Sequence, residues 1–543
     1  VGERWDVVVV GAGSAGCALA ARLVDAGRRV LLLEAGADHA RPEDFPAAVR
    51  DAATMGAAVP GHPANWDLVG ELTGELRWPV PRGRVVGGSS ALNGTYFVRG
   101  TPADFDGWAA AGNDLWSHDR VLPAFARSEA DAAYGDRPGH GAHGPVPVTR
   151  STRPHPVTDA FAAACDELGF PEEPDKNAGG PPGHGPLPVN VVDGVRVNAA
   201  MAYLSPRRGR PGLTVRGDTP VTRVVVERGR AVGVQTAAGV VHADEVVLAA
   251  GAVGSPHLLM LSGIGPAAQL RTAGVPVLVD LPGVGAEFSD HPDLYVTWRP
   301  ARRTPMPRGL LPLASALNTA AAGSRADGDL EVMPWLKPFS RVMLSRATGS
   351  PLSGVADVLR RPGPALRALR RSSSSRLLDQ ARRRDDLYLG LALQQEDSRG
   401  LISLVSADPA VQPRIEYRYL TEESDRRRMR EGVRLCAELL RTAAFAPLVA
   451  ERTGLADTEL DDDRALDRWV RHHLATAVHL AGSARMGPES DPGAVVDQHL
   501  RVRGVTGLRV VDTSVMPRVT SRGPAATAVM LGERAAELMA GAG

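Results

Sequence analysis

Cysteine is scarce in this chain. Cys17, Cys165 and Cys436 are the only three among 543 residues and lie far apart, which excludes a disulfide framework and any CxxC metal or redox pair and makes a reducing compartment the expectation. Net charge is lacking too, since Lys plus Arg and Asp plus Glu are both 62, which removes any case for general nucleic-acid binding. Lysine itself is nearly missing: Lys176 and Lys337 are the two present, and with abundant Ala, Gly and Pro this reads as a coding bias of little mechanistic content. No apolar run approaches the roughly 18 residues of a membrane span, and no basic segment with an apolar h-region precedes the first strand. A cytoplasmic protein without a metal site is therefore expected.

What is present is a nucleotide site. The opening DVVVVGAGSAGCALAARLVDAGRRVLLLEAG reads as strand, tight turn, helix and second strand, with Gly11, Gly13 and Gly16 in the turn and Glu34 at the end of the second apolar run. In such a turn the first glycine permits the bend, the second lets a pyrophosphate approach the backbone, and the third lets helix and strand pack closely. Glu34 is placed to accept hydrogen bonds from a ribose, so FAD or NAD is expected before NADP. A chain of this length is too long for one core, and two domains are expected, one of them assembled from separated pieces.

Further along, Pro81 to Trp108 is glycine-rich and reads as a loop, in which Gly87, Gly88 and Ser89 offer backbone N–H groups to a phosphate or flavin edge and Asn93 offers both donor and acceptor. From residue 213 to the Gly-rich turn at Gly251, Gly254 and Pro256, polar and apolar residues alternate in the manner of antiparallel strands. Residues 415 to 450 and 463 to 474 have helix-like spacing. The block GSARMGPESDPGAVVDQHLRVRGVTGLRVVDTSVMP at 482 to 517 follows directly on His479 and returns to nucleotide-type turns.

Taken together, Gly11 to Gly16, the stretch Gly83 to Asn93, Gly251 to Gly265, LPGVGAEFSDHP at 281 to 292 and the block from 479 to 517 resemble the glucose-methanol-choline (GMC) family of FAD-dependent oxidoreductases. The resemblance runs nearly end to end, except for about 300 to 390. It implies an α/β fold: a Rossmann-type FAD-binding domain from 1–100, 190–295 and 475–543, and a substrate domain of antiparallel sheet backed by helices from 101–189 and 296–474. It places Ser14, Ala15, Ala35, Arg84, Gly94, Ala250 and Gly251 at the cofactor with the glycines, Glu34, Ser89 and Asn93. It further implies backbone contact of Val221 with the adenine, Trp66 near the flavin side of the cleft, Asp512 at the pyrophosphate or ribityl chain and Met516 along the flavin. Capping of the following turn by a buried carboxylate is the other reading of Asp512.

The implied chemistry is removal of a hydride from an alcohol carbon by the flavin while a base takes the hydroxyl proton, and a neutral imidazole suits that base because its pKa lies near working pH. By resemblance His479 is that histidine. The family's second polar residue, some 43 or 44 positions later, falls here on Gly523, which has no side chain. Either a water or Arg522 substitutes, or the substrate supplies its own polar group, or alcohol oxidation has been lost. Some relatives bond the flavin through a histidine where this chain has Leu92, so non-covalent FAD is expected.

Residues 338 to 384 hold eleven arginines against Asp357 and Asp379. A solvated Arg-rich lid or insertion is one reading, and peripheral contact with an anionic membrane or an acidic partner is the other. The tail SRGPAATAV and the arginine-rich composition resemble actinobacterial members, including the branch associated with mycofactocin, which would make the substrate a reduced redox cofactor and the electron acceptor a respiratory carrier. A lyase or a non-catalytic flavoprotein on the same scaffold stays open beside the alcohol dehydrogenase or oxidase.

Overall fold

Four consecutive valines, Val7 to Val10, suit a strand covered on both faces, because a parallel strand at the centre of a sheet has no solvent side to alternate toward. The computed structural model describes residues 4–151, 153–324, 328–344 and 385–541. In it β1 (Arg4–Val10) lies between β2 (Val30–Leu33) and the strand Gly239–Leu248, parallel to both. Leu213–Arg216 extends the sheet in parallel beyond β2, and Arg230–Thr236 and Val221–Glu227 extend it in antiparallel fashion on the other side. Leu508–Val510, from far along the chain, is the seventh strand and pairs in parallel with Gly239–Leu248. The alternation after residue 213 therefore misreads two strands, since Gly239–Leu248 is parallel to β1 and to Leu508–Val510 and antiparallel only to Arg230–Thr236. Leu213–Arg216 is a parallel edge strand, and alternation reports one-sided burial, not direction.

Register sets the site. Val10 pairs with Leu248 and Leu248 with Val510, so three parallel strands end side by side and release Gly11, Ala249 to Gly251 and Asp512 from one edge. Ligands of open parallel sheets bind in such a crevice at the carboxyl ends of the strands. Helix α1 (Ser14–Asp25) follows β1, and the C-terminal helix Ala525–Ala540 packs directly on it. The approach is close enough to require glycine, since a Cβ on Gly532 would sit 2.3 Å from the Ala15 carbonyl oxygen. Buried Glu533 ties this helix to its surroundings, accepting from Arg22 Nε at 2.9 Å, Arg127 Nε at 3.0 Å and the Tyr203 hydroxyl at 2.6 Å.

A second seven-stranded sheet is antiparallel throughout: Val449–Thr453, Pro292–Pro300, Leu387–Leu393, Leu330–Trp335, Ser315–Thr319 and His184–Pro186 in order, with Ala475–Thr476 also on Pro292–Pro300. Helices Pro156–Glu167, Glu423–Arg441 and Asp463–His473 back it. Met429, Val433, Cys436 and Leu440 recur at helical spacing and are buried, which is the apolar stripe that seats the longest of them.

Two expectations are corrected here. The 415–450 helix is shorter, because Arg414–Glu416 is spent as a strand against Leu401–Ser403. The loop reading of 81–108 is interrupted by a helix at Pro102–Ala110, started by Thr101, which exchanges capping hydrogen bonds with Asp104. Of the basic stretch, Phe339–Leu344 is helical, and residues 345–384 lie outside the described residues. No described helix is long and apolar enough to cross a membrane.

Candidate active site

A cavity of about 730 Å³ runs along the carboxyl edge of the parallel sheet. Gly11, Gly13, Ser14 and Ala15 line it from the first turn, Glu34 and Ala35 from the end of β2, and Gly88, Ser89, Asn93 and Gly94 from the glycine-rich loop. Val221, Ala250, Gly251, Asp512, His479, Gly523 and Trp66 line it as well. Residues more than 500 positions apart in sequence thus share one wall.

The first turn needs its glycines. Gly11 has φ +102°, and a Cβ there would lie 2.4 Å from the Ala249 carbonyl oxygen; one on Gly16 would lie 2.1 Å from the Gly11 oxygen. Helix α1 begins without a side-chain cap and without an acid in its first turn, and so does the helix Ala525–Ala540, whose first residue lines the same cavity. Uncapped helix N-termini present N–H groups and positive dipole ends to an anion.

Glu34 is buried and accepts from the backbone N–H of Ala12 at 3.0 Å and of Gly36 at 2.9 Å, and burial pushes its carboxyl up to about 7. Asp512 accepts from Gly251 N at 2.9 Å, the Ser255 hydroxyl at 2.5 Å and Ser514 N at 2.8 Å, so it both caps the following turn and lines the cavity. His257 contributes a buried Nε2 without a hydrogen-bond partner, and Arg82 a buried Nη2 in the same condition. Both residues line the cavity. A long cleft with free helix N-termini, a buried acid at the end of β2 and two buried polar atoms awaiting partners fits FAD, and these residues would hold it.

His479 is positioned by a strand crossing. Pro292 and Asp293 pair with Thr476 and Ala475, while Ser289 and Ala481 exchange backbone hydrogen bonds at 2.9 and 2.8 Å, which brings the 289–293 and 475–481 segments together around His291 and His479. Val478, a β-branched residue, is held at φ +57° just before His479, a strained conformation of the kind that occurs at functional sites. His479 donates its backbone N–H to Asp290 at 2.7 Å, and its Nδ1 lies 2.9 Å from Nδ1 of His291.

The tautomers follow from one carbonyl. His291 Nε2 sits 3.0 Å from the Thr520 oxygen, which accepts only, so His291 carries its proton on Nε2 and offers Nδ1 as a lone pair. His479 must then donate Nδ1–H to it, leaving His479 Nε2 as the free acceptor. Burial first, and then the cation of Arg82, lower the His479 pKa to about 3, so the imidazole is neutral.

Several sequence-based placements do not reach the cavity. Gly16 acts through packing, Gly87 donates its N–H to the Ala12 carbonyl at 2.7 Å, and Arg84 sits with its guanidinium 5.1 Å from the Trp66 ring. Met516 is corrected, because it is fully buried in the apolar core and does not line this cavity. Arg522 is corrected as well: its guanidinium donates to the carbonyls of Ser521 at 2.8 Å and Gly328 at 3.2 Å and lies 3.9 Å from Glu173, turned away from the cavity. His291, Arg82, Tyr96 and His257 were not singled out from the sequence. DHP in the 281 to 292 motif was the one available signal, for His291.

Comparison with known proteins agrees with this geometry. Sequence models of the GMC oxidoreductase family match residues 5–293 and 396–532, and the chain belongs to that family. It is 37% identical to a GMC-type oxidoreductase of Rhodococcus erythropolis, over 99% of this chain and 98% of that one. It is 34% identical to an oxygen-dependent choline dehydrogenase of Brucella anthropi, over 99% and 95%. Pyridoxine 4-oxidase from Mesorbium loti superposes with a TM-score of 0.83 at 29% identity, covering 98% of this chain and 99% of that one. The protein is thus a GMC-type FAD oxidoreductase.

Proposed function

We propose that this protein is an FAD-dependent alcohol dehydrogenase or oxidase in which His479 takes the substrate's hydroxyl proton. The observation that carries the reading is the His479–His291 contact with the Thr520 carbonyl behind it, because that chain of acceptors leaves His479 Nε2 as an unprotonated nitrogen on a cavity wall. Bound FAD supplies the acceptor for the carbinol hydride. His479 receives the proton, His291 holds it in the required tautomer, and burial, with Arg82 second, keeps it neutral until negative charge develops in the cavity. Arg82 is itself anchored to the carbonyl of Val478.

Leu92 is buried and has no nucleophilic atom, which supports non-covalent FAD. We divide the chain as 1–100, 190–295 and 475–543 for the cofactor domain and 101–189 and 296–474 for the substrate domain, with one trim. Pro292–Pro300 and Ala475–Thr476 pair in the antiparallel sheet, which moves those two limits to 291 and 477.

Anaerobic addition of alcohols to the purified flavoprotein tests the reading. Bleaching of the flavin that is slowed about 10²- to 10⁴-fold in His479→Ala supports it. A flavin that no alcohol reduces sinks it in favour of the lyase or non-catalytic readings. Slow reoxidation by oxygen after bleaching would mark a dehydrogenase with another acceptor, such as a respiratory carrier serving mycofactocin, and fast reoxidation an oxidase.

A further inference from the structure

We propose that Tyr96 is the residue that reads the substrate, and that it selects alcohols carrying an aromatic ring on the carbinol carbon. The inference rests on the alcohol-oxidation reading above and assigns the substrate class for it.

Gly523 is not a glycine for backbone reasons, since its φ lies outside the left-handed region. It is a glycine beside a ring. A Cβ built on it would lie 3.2 and 3.3 Å from Cδ1 and Cε1 of Tyr96 and 3.5 Å from Cε1 of His479. The edge of the Tyr96 ring therefore crowds the position next to the base from which a side chain at 523 would project.

That ring is fixed from behind. Its hydroxyl donates to Glu331 Oε1 at 2.7 Å, and buried Glu331 also accepts from Asn318 Nδ2 at 3.1 Å and Gln394 Nε2 at 3.0 Å. The hydroxyl is thus committed to the second sheet, and ring carbons face the position beside His479. Lys176 Nζ, 2.6 Å from Glu173 and 3.0 Å from Asn318 Oδ1, and Arg522, 3.9 Å from Glu173, set two cations against the carboxylates of Glu173 and Glu331. The cluster therefore does not present uncompensated negative charge, and a cationic substrate gains nothing special from it.

Two consequences converge. The wall beside the base is aromatic, so it favours a ring stacked or edge-on against Tyr96. Position 523 offers no donor to an alkoxide, so the site favours a carbinol whose own chemistry eases hydride loss, and an adjoining aromatic ring does this by delocalising the developing positive charge.

The test uses the purified FAD-loaded protein and a non-oxidisable pair, benzamide and cyclohexanecarboxamide, titrated against the flavin spectrum, alongside anaerobic reduction by benzyl alcohol and cyclohexylmethanol. Benzamide is expected to bind roughly five- to tenfold more tightly than its saturated counterpart. Tyr96→Leu should bring the two within about twofold, Tyr96→Phe should keep the preference, and Gly523→Ala, which pushes on the ring without altering it, should weaken it. Equal binding of the pair by the native protein, or an unchanged ratio in Tyr96→Leu at full flavin content, overturns the proposal. If the ratio behaves as expected but neither of these alcohols nor any other reduces the flavin, the aromatic selectivity stands as a binding property, and it is the oxidation reading that falls.

Discussion

His479 and His291 meet through their Nδ1 atoms at 2.9 Å, with ring planes 85° apart. One proton lies between two nitrogens that could each carry it, and the Thr520 carbonyl at His291 Nε2 decides that His479 is the donor. His291 is therefore a positioning residue. His291→Ala leaves a buried Nδ1–H without an acceptor, a loss of about 1–3 kcal/mol, and flavin reduction should slow by about 10- to 100-fold. Asn at 291 offers an amide oxygen and should recover part of that rate. Equal rates for His291→Ala and His291→Asn, with flavin content retained in both, would show that the hydrogen bond does not set the tautomer.

The pH profile follows from the same pair. Burial and Arg82 lower His479 to about 3, so the free protein keeps its base neutral well below the usual histidine range. Reduction of the flavin by a neutral alcohol should stay flat as pH falls from about 8 to about 5, where a solvated imidazole near 6.5 would already have lost most of its lone pair. The stability sign is the matching one. Folding is favoured above the unfolded value and loses that advantage as pH falls below it toward 3, because the unfolded chain then binds a proton the native site refuses. A rate that halves near pH 6.5 in stopped-flow measurements would count against this assignment.

Much of this arrangement was legible in the sequence, and the illegible part has a physical pattern. Gly11, Gly13 and Glu34 announce themselves because a turn, a close approach and a ribose acceptor each demand one residue type at one spacing. Tyr96 does not, since an aromatic in a glycine-rich loop acquires meaning only when Gly523, 427 positions away, opens the space it fills. Arg522 misled for the converse reason. Adjacency to Gly523 in sequence says nothing of direction, and the guanidinium finds two carbonyls and an acid on the far side. The thirteen-residue span from Leu213 to Val225 likewise hides a change from parallel to antiparallel pairing that alternation cannot encode.

Asp512 holds the far wall of the crevice together. It joins Gly251, Ser255 and Ser514 through charge-assisted hydrogen bonds, while burial raises its pKa. Asp512→Ala should strip the turn before the helix Gly251–Leu261 of its anchor and leave those donors unpaired, at about 1–3 kcal/mol each before relaxation. The expected result is purified protein with well under half the native flavin content and a lower unfolding midpoint. Full flavin occupancy in Asp512→Ala at an unchanged midpoint would reduce the carboxylate to a bystander.

A fourth prediction concerns alkaline pH and a site away from the cavity. His140, with a side chain only 3% exposed, lies between Glu129 at 3.1 Å from Nδ1 and Asp175 at 3.0 Å from Nε2. Arg99 bonds Glu129, and Arg150 bonds both Asp131 and Asp175. Three buried carboxylates thus face two arginines, and charge balance requires the imidazolium. The hydrogen bonds to Asp175 and Glu129 accordingly raise His140 to about 9. A raised value means the stabilisation is complete below the unfolded value near 6.5 and is lost as pH climbs through about 9. Arg99 is three residues from Tyr96 and also donates its backbone N–H to Asn177 at 2.9 Å, so loosening this cluster loosens the loop segment that carries the Tyr96 wall. The unfolding midpoint should therefore fall between about pH 6.5 and 9, and His140→Gln, which cannot be charged, should be less stable near pH 6.5 by about 1–3 kcal/mol but lose less over that interval. Parallel declines in the two proteins would show that the cluster does not depend on the His140 proton.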